Sequence, residues 1–257
     1  LSIDDSLKEL VPRFVCYNVI DRNGINSEAG LTYTINHFST PILYKDYPFF
    51  NHMMNERSIA FREIGGWINE GRLILLDSEN GRSFDFLASS IRNIRDKHPA
   101  KKIIFFLDNL HLLVTDSWSE SGYDRIKKLS HEAKALCVNT NATIISTVEL
   151  RKLAKGQKAD NNDLAGSASL AYDANAIAIL SSDLDMDPDS SKYFRHGSST
   201  RKYPIIECNI SKNKIASFKG LLYSKLYASQ AYYQFISELE FDALYGDTEA
   251  EEFAKSV

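Results

Sequence analysis

The sequence predicts an α/β domain with a mostly parallel sheet and a C-terminal antiparallel hairpin, and three observations carry that reading. In Lys101–Leu113 (KKIIFFLDNLHLL), five apolar residues, Ile103 to Leu107, lie between a charged pair and Asp108. A run so uniformly apolar predicts a strand covered on both faces, as in a parallel sheet. Strand-like runs alternate with helical periods through most of the chain, the pattern of βαβ units. Near the C-terminus two strand-like runs, Pro204–Ser211 and Gly220–Tyr227, flank a Lys-rich turn and predict an antiparallel pair.

Taken in order, Ser6–Val19 places Leu7, Leu10, Val11, Phe14 and Val15 on one helical stripe, with Asp4, Asp5 or Ser6 as the cap and Pro12 marking a kink or late start. Asp21–Asn51 mixes aromatic and polar residues without a period and supports no assignment. Asn55–Asn69 reads as a helix stopped at Gly71, Arg72–Ser78 as a short strand, and Ser83–Lys97 as a helix stopped by Pro99. After the Asp108 strand, Ser121–Val138 is amphipathic, with Ile126, Leu129, Ala133, Leu136 and Cys137 on one side and Lys127, Lys128 and Lys134 on the other. Ala142–Val148 and Asn175–Leu180 follow as strands, the second leading into an acidic, Ser-rich loop. The expected organisation is one domain over 1–227 and an acidic tail over 228–257.

Composition bounds the function. The 257 residues are 44% hydrophobic and 25% charged, which is ordinary for a globular chain with a substantial core. No apolar run approaches the ~20 residues of a membrane helix, and the N-terminus does not resemble a signal peptide. Cys16, Cys137 and Cys208 are dispersed and odd in number, which fits buried thiols in a reducing cytoplasm rather than disulfides or a zinc site. Seven acids and one base give the stretch from Ala228 a charge of −6, so the total of −4 leaves the body at +2. A weakly basic face, centred on Arg151–Lys219, is therefore allowed.

Asp108 is the first candidate functional residue. A carboxylate at the carboxyl end of a sheet strand sits where open α/β sheets bind ligands. In nucleoside triphosphatases such an acid orients the Mg²⁺ that bridges the phosphates.

Five segments then fall in one order: Leu1–Leu10 (LSIDDSLKEL), the Asp108 strand, Ala142–Lys152 (ATIISTVELRK), Asp163–Asn175 (DLAGSASLAYDAN) and Ile210–Lys214 (ISKNK). Together they resemble the RecA-like motor domain of DnaB-type replicative helicases over roughly Leu1–Tyr227. The resemblance implies a three-layer RecA-like fold, ATP and Mg²⁺ as cofactors, and a homohexameric ring on single-stranded DNA in replication, with primase or a helicase loader as further partners.

By that resemblance Asp4, in Ser2-Ile3-Asp4, takes the place of the acid that orients the attacking water, with Asp5 as a substitute. Read alone, the pair fits a helix N-cap equally well. Asp108 matches the Mg²⁺-orienting acid, and Arg13 an Arg in the helix that follows the catalytic acid. Glu149 stands where the family usually has a γ-phosphate-sensing Gln; an acid there needs Arg151 or Lys152 beside it to approach a triphosphate. Asp163–Asn175 matches the channel-lining loop and helix, in which Gly166, Ser167 and Ala168 permit close backbone approach to DNA. Lys155 and Lys158 precede them, and Ala165 replaces a family Arg. A capped Gly/Ser turn with a mobile lysine loop is the open alternative. Lys212 and Lys214 match the two basic residues that reach the neighbouring subunit's γ-phosphate, Lys214 in place of the usual Arg and without its fork. As a lone K-x-K they would be plain surface.

One motif is missing. No G-x-x-x-x-G-K-[ST] occurs, so no ring of backbone N–H groups in this chain is marked out for the β-phosphate. The chain starts with Leu1, and the expectation is a fragment that begins just downstream of that loop and is inactive on its own. A second polypeptide supplying the loop and a degenerate scaffold are the alternatives. A recombinase-like or clock-type ATPase is the nearest enzymatic rival, and an inactive DNA- or partner-binding module the rival from another class.

Overall fold

The computed structural model describes residues 1–115, 122–154, 157–165, 168–187, 189–190, 192–196 and 200–245. In chain order the elements are α1 (Leu7–Asn23), α2 (Glu28–Thr32), α3 (Ile35–Ser39), α4 (Phe50–Asn69), α5 (Phe84–Lys97), β1 (Ile103–Leu107), α6 (Gly122–Thr140) and β2 (Ala142–Ser146). They continue with α7 (Ala168–Asp173), β3 (Ala176–Ser181), α8 (Asp183–Met186), β4 (Tyr193–Phe194), β5 (Tyr203–Asn213), β6 (Gly220–Tyr227) and β7 (Tyr232–Ile236). The chain forms two compact units, Leu1–Leu7 with Leu75–Ile177 and Lys8–Ile74 with Ala178–Val257.

In the first unit β1 and β2 pair in parallel, Ile103 opposite Ala142 and Leu107 opposite Ser146. The chain's first residues run alongside β1 through a parallel bridge from Ser2 to Asp108, and the Ser2 N–H donates to Leu76 O at 3.0 Å. That single bond is what the expected strand at Arg72–Ser78 amounts to; it forms no strand. Ser83 caps α5 by accepting the Phe86 N–H at 3.1 Å, a contact worth about 1 kcal/mol. One guanidinium fixes where both strands begin: Arg95 on α5 donates to Thr140 O, Asn141 O and Lys101 O, each at 2.7 Å. Asn141, at φ 49°, turns α6 into β2.

Leu87 and Ile91 of α5, Ile126, Leu129 and Leu136 of α6, and Leu170 of α7 close over Ile103, Phe105 and Leu107 to form this unit's core. Burial of each large apolar side chain contributes about 1.5–3 kcal/mol relative to exposure. The expectation that β1 is covered on both faces does not hold here. Ile104 and Phe106 are 58% and 63% exposed, and Ile145, opposite Phe106, is 49% exposed. Side chains alternate across a strand, so helices on one face leave the other bare.

The second unit holds an antiparallel sheet in which β5 pairs with β4 and β6, and β6 with β7; β3 lies next to β5. The predicted hairpin is therefore present, with Ile206 opposite Ser224. The stretch after 227, read as an acidic tail, instead supplies β7 and helical backbone over 238–245. Residues 21–51, unassigned from sequence, form α2 and α3 around Tyr33, whose ring meets Phe38, Phe49 and His52. Gly24, at φ 86°, ends α1, which runs through the buried Pro12. Glu56 on α4 is buried and compensated by Arg22 at 3.0 Å and Asn23 at 2.8 Å from α1. Burial raises the Cys16 thiol to about 12, the state of a packed rather than a reactive cysteine, and all three cysteines are free.

Candidate functional site

Asp108 stands immediately beyond β1, and its backbone is fixed from the side of the N-terminal residues. Asp108 N donates to Leu1 O at 3.0 Å and Asp108 O accepts from Ile3 N at 2.6 Å. Its Oδ1 accepts from the Thr147 hydroxyl at 2.5 Å, and the Thr147 N–H in turn donates to Leu107 O at 3.1 Å. Because Ser2 bridges in parallel to Asp108, the exposed Asp4 leaves the sheet at the same carboxyl edge. Thr147 and Glu149 leave β2 at that edge too. The Leu7 N–H at the start of α1 is taken by the buried Asp77 at 2.9 Å, a capping contact from a distant segment.

Beyond β2 the chain folds back on the segment before α7. Ala165 N donates to Glu149 O at 2.9 Å, Arg151 N to Asp163 O at 2.7 Å, and Leu150 bridges Leu164 in antiparallel sense. Arg151 does not pair with Glu149 as the sequence suggested. Its Nε and Nη2 both converge on Asp163 Oδ1 at 2.5 Å. Asp163 is 1% exposed, and its Oδ2 accepts from Asp160 N at 2.8 Å. The Asp160 N–H, then the Arg151 guanidinium, hold the Asp163 carboxyl below the usual range, against burial, which pushes it up.

A carboxyl lowered in this way stabilises the fold in full above its unfolded value of 3.8. That contribution is lost as pH falls through the lower folded value. The melting temperature of Asp163→Asn is therefore expected to lie below that of the unaltered chain near neutral pH. The gap closes as pH drops below 3.8, and a gap constant with pH would contradict this assignment.

The loop ends in α7, which α6 clamps: Asp173 accepts from the Ser130 hydroxyl and pairs with His131 Nδ1, both at 2.7 Å. Ala168, at the first turn of α7, and Lys158 in the preceding loop are exposed, whereas Lys155, Gly166 and Ser167 lie outside the described residues. Lys212 and Lys214 belong to the second unit, Lys212 half-buried on β5 and Lys214 exposed in the turn after it. Asn213 builds that turn, accepting from the Ile215 and Ala216 N–H groups and donating to Phe218 O, all at 3.0 Å. Arg13, on α1, is exposed in the second unit.

Asp4, Asp108 and Glu149 are thus brought to one sheet edge, with the 163–168 segment zipped to its β2 exit. Sequence reasoning missed Thr147, His111 and the Asp163–Arg151 pair, whose residue types are common on surfaces and whose partners are not local. The donors at Asp108 are hard oxygens from a carboxylate and a hydroxyl, which suits Mg²⁺ held by few protein ligands. Among the described residues no cluster of three or more His, Cys, Asp or Glu is arranged to hold a metal without further ligands.

A parallel pair ending on a buttressed acid, with an antiparallel sheet in a second unit, also describes known motor proteins. Over 92% of its length the chain matches the ATPase domain of a DnaB-like replicative helicase, with a TM-score of 0.71, 18% identity and 73% of that chain covered. The fold is that of a DnaB-like helicase motor. A second match is a DnaB-like replicative helicase whose structure includes its interactions with primase, with a TM-score of 0.72 and 19% identity. This chain covers 92% of itself in that match and about half, 49%, of the helicase. No protein-family model and no curated protein sequence matches the chain. The DnaB-like likeness therefore lies in the fold, and no described helix is long and apolar enough to cross a membrane.

Proposed function

We propose that the chain is the motor portion of a DnaB-type replicative DNA helicase, a cytoplasmic ATPase that works as a homohexameric ring on single-stranded DNA. The observation that carries this reading is the convergence at one sheet edge. Asp108, buttressed by Thr147, lies beside the exit of Asp4, and the β2 exit is hydrogen-bonded to the segment before α7. Asp108 and the Thr147 hydroxyl would hold Mg²⁺, which when bound neutralises charge on the nucleotide phosphates. Asp4 orients water, Lys212 and Lys214 act on the neighbouring subunit's nucleotide, and Glu149 works through its backbone as a relay. Lys155, Lys158 and the Gly166–Ala168 segment contact the DNA backbone. The β-phosphate cradle must come from a G-x-x-x-x-G-K-[ST] loop outside these 257 residues, and the bare face of Ile104, Phe106 and Ile145 is apolar surface that such a unit would cover. Primase or a loader is the partner class that the second solved relative brings to this chain.

A second reading, an inactive interaction module, is favoured by that missing loop together with Glu149 and Ala165 in place of the family's Gln and Arg. DNA binding is tested by anisotropy of a labelled oligo-dT titrated with the chain. Binding without sequence preference and weakening with salt is expected. Lys158→Ala lowers affinity alike for all sequences and reduces the salt slope by about 0.7, one phosphate contact on a single strand. No binding, or a slope unaltered by the substitution, would contradict the assignment.

A further inference from the structure

The contact between the β2 exit and the segment before α7 is not an ordinary ladder. In a narrow antiparallel pair, two facing residues exchange both N–H···O bonds. Glu149 and Ala165 make only one of these directly, Ala165 N to Glu149 O at 2.9 Å. The second is interrupted by an imidazole: Glu149 N donates to His111 Nδ1 at 3.2 Å, and His111 Nε2 lies 2.8 Å from Ala165 O. Only the neutral ring with its proton on Nε2 satisfies both groups, since Nδ1 must accept and Nε2 must donate.

His111 is also tied to Asp108. It follows that residue by three positions, in the short 3-10 turn Leu110–Leu112. Leu110 N donates to the carbonyl of Thr147, whose hydroxyl binds Asp108 Oδ1. Arg125 of α6 donates to His111 O at 3.0 Å and Leu113 O at 2.8 Å, so the turn is held from its far side. A shift at the Asp108 carboxylate therefore moves Thr147, the turn and the ring together.

We infer that His111 is a positioning residue, a wedge in the Glu149–Ala165 rung that couples the Asp108 site to the DNA-facing segment; the DNA part of this rests on the proposed function. With the ring in place the rung is held open, and with the ring withdrawn Glu149 N and Ala165 O close on each other and draw the segment before α7 toward β2. Two arrangements of one rung are the bistable element that coupling between sites requires.

The test uses the chain as it stands, by nitrogen NMR of labelled histidines and by amide exchange. The apo chain should show one His111 tautomer, pyrrole-like at Nε2 and pyridine-like at Nδ1. His111→Ala should speed exchange at Glu149 several-fold to about tenfold, the loss of one hydrogen bond. His111→Gln, which keeps an acceptor and a donor, should restore protection. A ring that averages between tautomers, or an alanine variant with unchanged Glu149 exchange, overturns the wedge. Adding oligo-dT should shift the His111 ring resonances and alter Glu149 exchange in the unaltered chain but not in His111→Ala. Binding by anisotropy without those remote changes overturns the coupling. No binding at all overturns the DNA reading beneath it, and the apo tautomer and exchange data then judge the wedge alone.

Discussion

Asp108→Asn, placed in a motor completed by a phosphate-binding loop, is expected to lower ATP turnover by about 10²–10³-fold, as removal of one preorganised electrostatic group does elsewhere. The substitution is nearly isosteric. The amide oxygen of Asn still accepts from the Thr147 hydroxyl, and the backbone bonds to Leu1 and Ile3 are untouched. Folding should be preserved while the charge that would hold Mg²⁺ is lost. Thermal melts that match, with turnover that collapses and is partly recovered by raised Mg²⁺, are the expected result. Equal turnover in both proteins would remove Asp108 from the site.

The second large effect concerns Lys212 and Lys214. Cations supplied across an interface to a transferring phosphoryl group contribute 10³-fold or more in related enzymes, so Lys212→Ala is expected to lower turnover by about 10³-fold. Nucleotide affinity at the subunit's own site should hardly change. Asn213 holds the turn by three hydrogen bonds of its own side chain, so truncating either flanking lysine leaves the turn intact. Lys214→Arg should raise turnover, because a guanidinium fork grips phosphate at two points where an ammonium grips at one. Mixing variant and unaltered subunits discriminates further. A residue acting in trans poisons mixed rings out of proportion to its share, whereas inhibition strictly proportional to share would contradict a trans role.

How much of this was legible in the sequence depended on how local the information was. Helices α5 and α6 follow from Ser83 and the Ile126–Leu136 stripe, and the β5–β6 hairpin from two apolar runs around a lysine turn, because periodicity and caps act within a few residues. Asp108 was readable because an acid closing an apolar strand is itself a local pattern. The coverage of β1 was not readable. IIFFL is apolar at every position, so it reports burial capacity, and only the placement of α5 and α6 decides that Ile104 and Phe106 stay bare. RLILLDS looked like a strand for the same reason, yet a strand needs partners and Leu76 finds one bond.

Residues 21–51 have no period because their short helices are held by aromatic contacts around Tyr33 rather than by one amphipathic face. The working parts of the site that sequence missed, His111, Thr147 and Asp163, share one property. Each acts through a partner distant in the chain, His111 through Glu149 and Ala165, Thr147 through Asp108, and Asp163 through Arg151. A histidine between leucines carries no signal of a rung it will interrupt.

The measurement that bears most directly on the central claim is calorimetric titration with Mg·ATP of this chain and of one extended upstream of Leu1 by a G-x-x-x-x-G-K-[ST] loop and its helix. The account predicts no binding by the 257-residue chain and saturable, Mg²⁺-dependent binding by the extended one, lost with Asp108→Asn. Failure of both chains to bind would contradict the motor assignment and leave the interaction module in its place.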